Sequence, residues 1–132
     1  MPQTAAPIKH TVTKTIVTSP NIYKPVGPYS QAILADKTLY VSGVLGLDPK
    51  AQLVCGGVEA QTRQALENLK HVLEAGGSSL AAVLKTTILL QNMDDFQAFN
   101  QVYAQCKSIH AILLWNALPE SMRKARTKGV DT

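Results

Sequence analysis

Cysteine is scarce in this 132-residue chain, which carries only Cys55 and Cys106. Two thiols so far apart build neither a disulfide framework nor a zinc site, and they read as ordinary thiols of a reducing compartment. Histidine is nearly as sparse. His10, His71 and His110 stand isolated, none with a second ligand at helical or hairpin spacing, so no metal is expected. No apolar run approaches the roughly 18 residues that cross a bilayer. The glycine groups Gly43-Val44-Leu45-Gly46 and Gly56-Gly57 lack the Lys-Ser/Thr ending of a phosphate loop. With no Gly-x-Ser-x-Gly elbow and no Cys/His signature, an enzyme of this sequence works without a cofactor and without a covalent nucleophile.

Net charge is +4, and its distribution limits what it means. From Met1 to Cys106 there are eight Lys or Arg against seven Asp or Glu, a balance of +1; the remaining residues carry five against two, a balance of +3. The body is therefore near neutral. A nucleic-acid partner is not expected from a body without clustered basic residues. The start, with Lys9, His10 and Lys14 but no arginine and no apolar stretch, resembles neither a signal peptide nor a good mitochondrial presequence. A cytoplasmic protein of one domain, residues 1–132, is the expectation, with a mitochondrial setting as the alternative.

Taken in order, His10 to Val17 is rich in β-branched residues with near-alternating polarity, as an edge strand would be. Asn21 to Pro28 holds Pro25 and Gly27-Pro28 and reads as a loop. Gln31 to Leu34 and Leu39 to Val41 form a hairpin across Asp36-Lys37. From Val58 the period changes: Val58, Thr62, Ala65, Leu66, Leu69, Val72 and Leu73 share one helical face, and Gly76-Gly77 ends it. Val83 to Leu90 reads as a central strand covered on both faces. Asp94-Asp95 can cap a second helix with Phe96, Phe99, Asn100 and Tyr103 on one face. Ala111 to Trp115 could add a strand, and Glu120 to Thr132 reads as a disordered tail. The order implies an α+β sandwich with two helices on one face of a sheet.

Three positions stand out. Tyr29 follows the Gly-Pro turn, so its hydroxyl either faces a cleft or anchors a backbone group. Gly43 ends the second hairpin strand after Ser42 and leaves bare backbone on the sheet rim. Asn100 interrupts an apolar face, where its amide either caps a neighbouring loop or faces a pocket. His71, between core and exposed positions, reads as a boundary histidine.

Five motifs, spread from Lys14 to Tyr103, together resemble the reactive-intermediate deaminase (RidA-like, YjgF) family. They are Gly27-Pro28-Tyr29-Ser30-Gln31-Ala32, Leu39-Tyr40-Val41-Ser42-Gly43, Gln64-Ala65-Leu66-Glu67-Asn68-Leu69, Val83-Leu84-Lys85-Thr86-Thr87, and Met93-Asp94-Asp95-Phe96 with Phe99-Asn100 and Tyr103. The resemblance implies a chorismate-mutase-like α+β fold with a mixed sheet, a homotrimer with clefts between subunits, and cofactor-free hydrolysis of 2-imino acids to 2-keto acids and ammonia. It also implies that Tyr29 and Asn100 serve catalysis and that Gly43 contacts substrate.

The ending departs from that pattern. The family places Pro-Ala-Arg-Ser/Thr before a strand and Leu-Pro, then a closing strand bearing a glutamate that orients water. Here Cys106 to Ala117 contains no arginine, Glu120 directly follows Leu118-Pro119, and Ala125-Arg126-Thr127 comes after that pair instead of before it. Residues 106–132 are therefore expected to be an alternative ending on an otherwise ordinary member. It would expose a sheet edge and weaken the trimer unless Ala111 to Trp115 supplies a substitute strand. The competing expectation is a catalytically impaired relative that binds clients through Ile112-Leu113-Leu114-Trp115, acts as a chaperone, or inhibits translation through RNA.

Overall fold

A computed structural model describes residues 4–106, 108–109 and 111–117. Strands β1 (Lys14–Val17), β2 (Ala32–Ala35) and β3 (Thr38–Val41) precede helix α1 (Gly57–Ala75). Strand β4 (Lys85–Leu90), helix α2 (Phe96–Gln105) and strand β5 (Ile112–Ala117) follow. The expected order of strand, hairpin, helix, strand and helix holds, and the fold is α+β. Antiparallel and parallel pairing both occur. Among the described residues they fall in two ladders, β1-β2-β3 antiparallel and β4-β5 parallel. The expected tail lies outside the described residues.

The hairpin turn sits where the sequence placed it. Asp36 takes a left-handed φ of 51°, a conformation that Asp tolerates better than most side chains. Ile16, Ile33 and Tyr40 lie in one cross-strand row. The opposite face carries Val17, Ala32, Leu34, Leu39 and Val41, which pack with Ile22, Tyr23 and Val72 into the core. Strand β1 begins at Lys14, four residues later than expected.

Helix α1 buries Thr62, Asn68, Val72 and Leu73. Asn68 is the member that hydrophobic periodicity misses. The helix closes as its glycines suggested: Gly77 has φ 77°, its N–H donates to the Glu74 carbonyl at 3.0 Å, and Ser78 N–H donates to Leu73 O at 2.8 Å. That pair of bonds satisfies carbonyls the last turn would leave open.

Two expectations need correction. The second helix is not capped by an aspartate side chain; a short 3-10 turn, Met93–Asp95, precedes it, and the Asn92 side chain accepts from Asp94 N at 3.0 Å. The Asn92 amide, three residues before Asp95, caps that turn, and the chain enters α2 through it with no side-chain cap at Asp95. Nor is β4 covered on both faces. Its residues alternate, with Lys85, Thr87 and Leu89 exposed and Leu90 buried. The inner face meets α2, where Thr86 Oγ1 and Tyr103 Oη lie 3.1 Å apart. Strand β5 pairs Thr87 with Leu114, so Leu89 at 55% and Leu114 at 47% exposure share the outer face. An apolar run can thus be half-exposed when its outer face is left for another surface.

Candidate functional site

The segment after β3 builds the site. It leaves the sheet at Ser42, whose N–H donates to Gln31 O at 3.0 Å and whose hydroxyl donates to Ser30 O at 2.5 Å. These bonds fasten the start of β2, and hence Tyr29, to the Ser42-Gly43 rim. The same segment then lies against α1. A Cβ on Gly46 would stand 2.6 Å from both Cα and O of Gln61, so only glycine permits this approach. Asn68 secures it from the helix. Its Nδ2 donates to Leu45 O and Leu47 O, each at 2.9 Å, while its Oδ1 accepts from Gln64 Nε2 at 2.9 Å.

The loop before Tyr29 is held by another buried amide. Gln31 Oε1 accepts from Ser19 N at 2.6 Å, and Nε2 donates to Ser19 O at 3.3 Å and Tyr23 O at 3.4 Å. Tyr23, 3% exposed, reaches across to accept from Leu45 N at 3.0 Å. Burial pushes the Tyr23 phenol above its ordinary value, the Leu45 amide opposes that shift, and the nearby Tyr29 adds to it. The phenol is therefore held protonated into alkaline solution.

Between these anchors lies a small cleft lined by Ile22, Tyr23, Tyr29, Ser42, Gly43 and Val72 among others, with an enclosed volume of about 10 Å³. Two of the three singled-out residues, Tyr29 and Gly43, meet there. Tyr29 is 38% exposed; its hydroxyl accepts a long bond from Val26 N at 3.4 Å, so it is anchored to backbone and lines the cleft as well. A Cβ on Gly43 would meet nothing within 4 Å, so its open side faces free space. Asn100 is exposed on α2 and does not line this cleft within one chain.

Charge around the cleft is limited. Arg63 is the single arginine among the described residues, and it lines a separate, shallow hollow with Val54, Ala60, Gln64 and Glu67. It lies 3.9 Å from Glu59 across one helical turn, with both side chains about half exposed. Arg126 and Glu120 lie outside the described residues. His71 occupies the expected boundary position: Nε2 is 3.4 Å from Glu67 Oε1, and Nδ1 is buried without a partner among the described residues. No three His, Cys, Asp or Glu among the described residues gather as a metal site, and no described helix is long and apolar enough to cross a membrane.

Sequence reasoning missed Tyr23, Gln31 and Asn68. Gln31 and Asn68 lay inside the quoted motifs, and a polar amide on the Val72 side of α1 was a readable signal. Tyr23 offered less, an aromatic residue among prolines in a loop.

Comparisons with known proteins bear on this geometry. The family model described as Endoribonuclease L-PSP matches residues 19–118. A RutC family protein of Pyrococcus horikoshii is 47% identical over 93 residues, 70% of this chain and 74% of the relative. The 2-iminobutanoate/2-iminopropanoate deaminase of Homo sapiens is 48% identical over 81 residues, which covers 61% of this chain and 59% of that enzyme. Among solved structures, the Yersinia pestis protein YyfA of the conserved Rid family superposes with a TM-score of 0.75 at 32% identity, covering 80% of this chain and 86% of its own. Yeast Mmf1 gives 0.73 at 30% identity over 80% and 84%. With three quarters of its length matched by the family model and its fold shared with solved members, the chain belongs to the Endoribonuclease L-PSP family, the RidA-like family that its motifs resemble.

Proposed function

We propose that this protein hydrolyses short 2-imino acids, such as 2-iminobutanoate and 2-iminopropanoate, to 2-oxo acids and ammonia without a cofactor. Water adds to the imine carbon, the nitrogen takes up protons, and the C–N bond breaks to leave the ketone. The observation that carries this reading is the meeting of Tyr29 with the open side of Gly43 at one cleft. A phenol can hydrogen-bond at the imine while bare backbone admits the planar substrate. The deaminase relatives supply the choice of reaction.

The reading includes a homotrimer. Ile16 at 65% and Tyr40 at 63% exposure on the first sheet, with Leu89 and Leu114 on the second, form outer apolar faces that a single chain leaves in water. We assign them to contact between copies of this chain, not to client binding. Asn100, outside the cleft of its own chain, acts in this scheme only at a cleft completed by another copy. A cytoplasmic setting suits the free thiols of Cys55 and Cys106.

Coupling the protein to a threonine dehydratase tests the activity. Appearance of 2-oxobutanoate faster than spontaneous hydrolysis is the expected result; no acceleration at micromolar protein excludes it. Light scattering behind size exclusion tests the assembly, with three times the 14.2 kDa chain mass expected. Leu89→Lys should shift that mass toward one chain, because a charge would be buried in an apolar contact.

A further inference from the structure

We propose that Tyr23 is a ligand-contacting residue whose phenolic O–H donates to a carboxylate oxygen of the 2-imino or 2-oxo acid in the cleft. The inference rests on the proposed site and adds to it a donor outside the motifs that identified the family.

Tyr23 is 3% exposed, and its hydroxyl oxygen already accepts from Leu45 N at 3.0 Å. That bond uses a lone pair and leaves the proton unspent. Among the described residues nothing accepts it. A buried hydroxyl seldom leaves its donor unused, so this proton is open to an acceptor beyond the described residues. Tyr23 lines the cleft together with Tyr29 and Gly43, and the cleft's volume of about 10 Å³ is room for one oxygen-sized atom. Tyr29 and Gly43 are exposed, so the rest of a short acid can lie outward past them.

The chemistry of the end group follows from what surrounds it. No guanidinium among the described residues lines the cleft, while Tyr23 offers a neutral, fixed donor. Its raised affinity for the proton keeps it a donor throughout the neutral range. Its position is set twice, by Gln31 Nε2 at its carbonyl and by Leu45 N–H at its hydroxyl, so little side-chain freedom is lost when a ligand arrives.

The experiment uses 2-oxobutanoate as the probe, calorimetry for affinity, and tyrosine labelled with 13C at Cζ for the contact. In the wild-type protein the Tyr23 signal, assigned by its disappearance in Tyr23→Phe, should move on titration together with that of Tyr29. Tyr23→Phe should weaken binding about fivefold, the loss of roughly one neutral hydrogen bond. Should Tyr23→Phe prove unstable, the wild-type titration, assigned instead by the remaining single tyrosine variants, still decides the matter. Movement of Tyr29 alone, or unchanged affinity in Tyr23→Phe, overturns the inference and leaves the site reading standing. Absence of any binding to the wild type overturns both.

Discussion

Asn68→Ala should lower the melting temperature by about 12 °C, following a loss of about 3 kcal/mol in a domain of this size. Asn68 is 2% exposed, and its amide serves two carbonyls, Leu45 O and Leu47 O, that lie beside the helix instead of in a ladder. Alanine removes both donors and leaves buried acceptors that must find water or stay unpaired. The Gln64 amide, which now donates to Asn68 Oδ1, loses its acceptor as well. Circular dichroism melts at equal protein concentration would measure the change, since assembly makes melting concentration-dependent. A fall of only one or two degrees would mean that the segment is held by other contacts.

Gly43→Val should do the reverse, sparing stability and removing activity. The backbone at Gly43 is outside the left-handed region, and an added Cβ meets nothing within 4 Å, so a β-branched side chain can be accepted beside the strand end. Its methyl groups would occupy the open side of the cleft. A melting temperature within about 2 °C of wild type and imine hydrolysis reduced at least tenfold are expected, the latter for any loss of transition-state binding above about 1.4 kcal/mol. Retained activity would remove Gly43 from the site. Gly46, three residues on, makes the useful contrast, because its added Cβ would strike helix backbone.

Period and turn chemistry carried most of the fold. The hairpin across Asp36-Lys37 and the long helix ended by Gly76-Gly77 were legible, since each depends on local pattern, while Ala111 to Trp115 offered a strand without requiring one and the structure forms it at Ile112–Ala117. Coverage was not. Leu84 and Leu89 look like core text, yet they are 78% and 55% exposed, because composition states that a face is apolar and not what covers it. Buried amides escaped for the opposite reason: Gln31 and Asn68 are polar by type but each bonds backbone groups distant in sequence. Tyr29 and Gly43, which a turn and a strand end single out, line the same cleft. Asn100 was placed on an apolar face by periodicity, whereas α2 buries Phe99 and Val102 and turns Asn100 outward.

The parallel ladder also sets an order of assembly during synthesis. In the β2–β3 hairpin Ala35 pairs with Thr38, so that ladder can zip as soon as its residues leave the ribosome. Lys85 instead pairs with Ile112, and the whole of α2 must be made and folded back before the first bond closes. Until then the apolar β4 edge is open, and loop-closure entropy delays its partner. The nascent chain thus passes through a stage with a finished meander and an unpaired strand, the interval in which a holdase would protect it most.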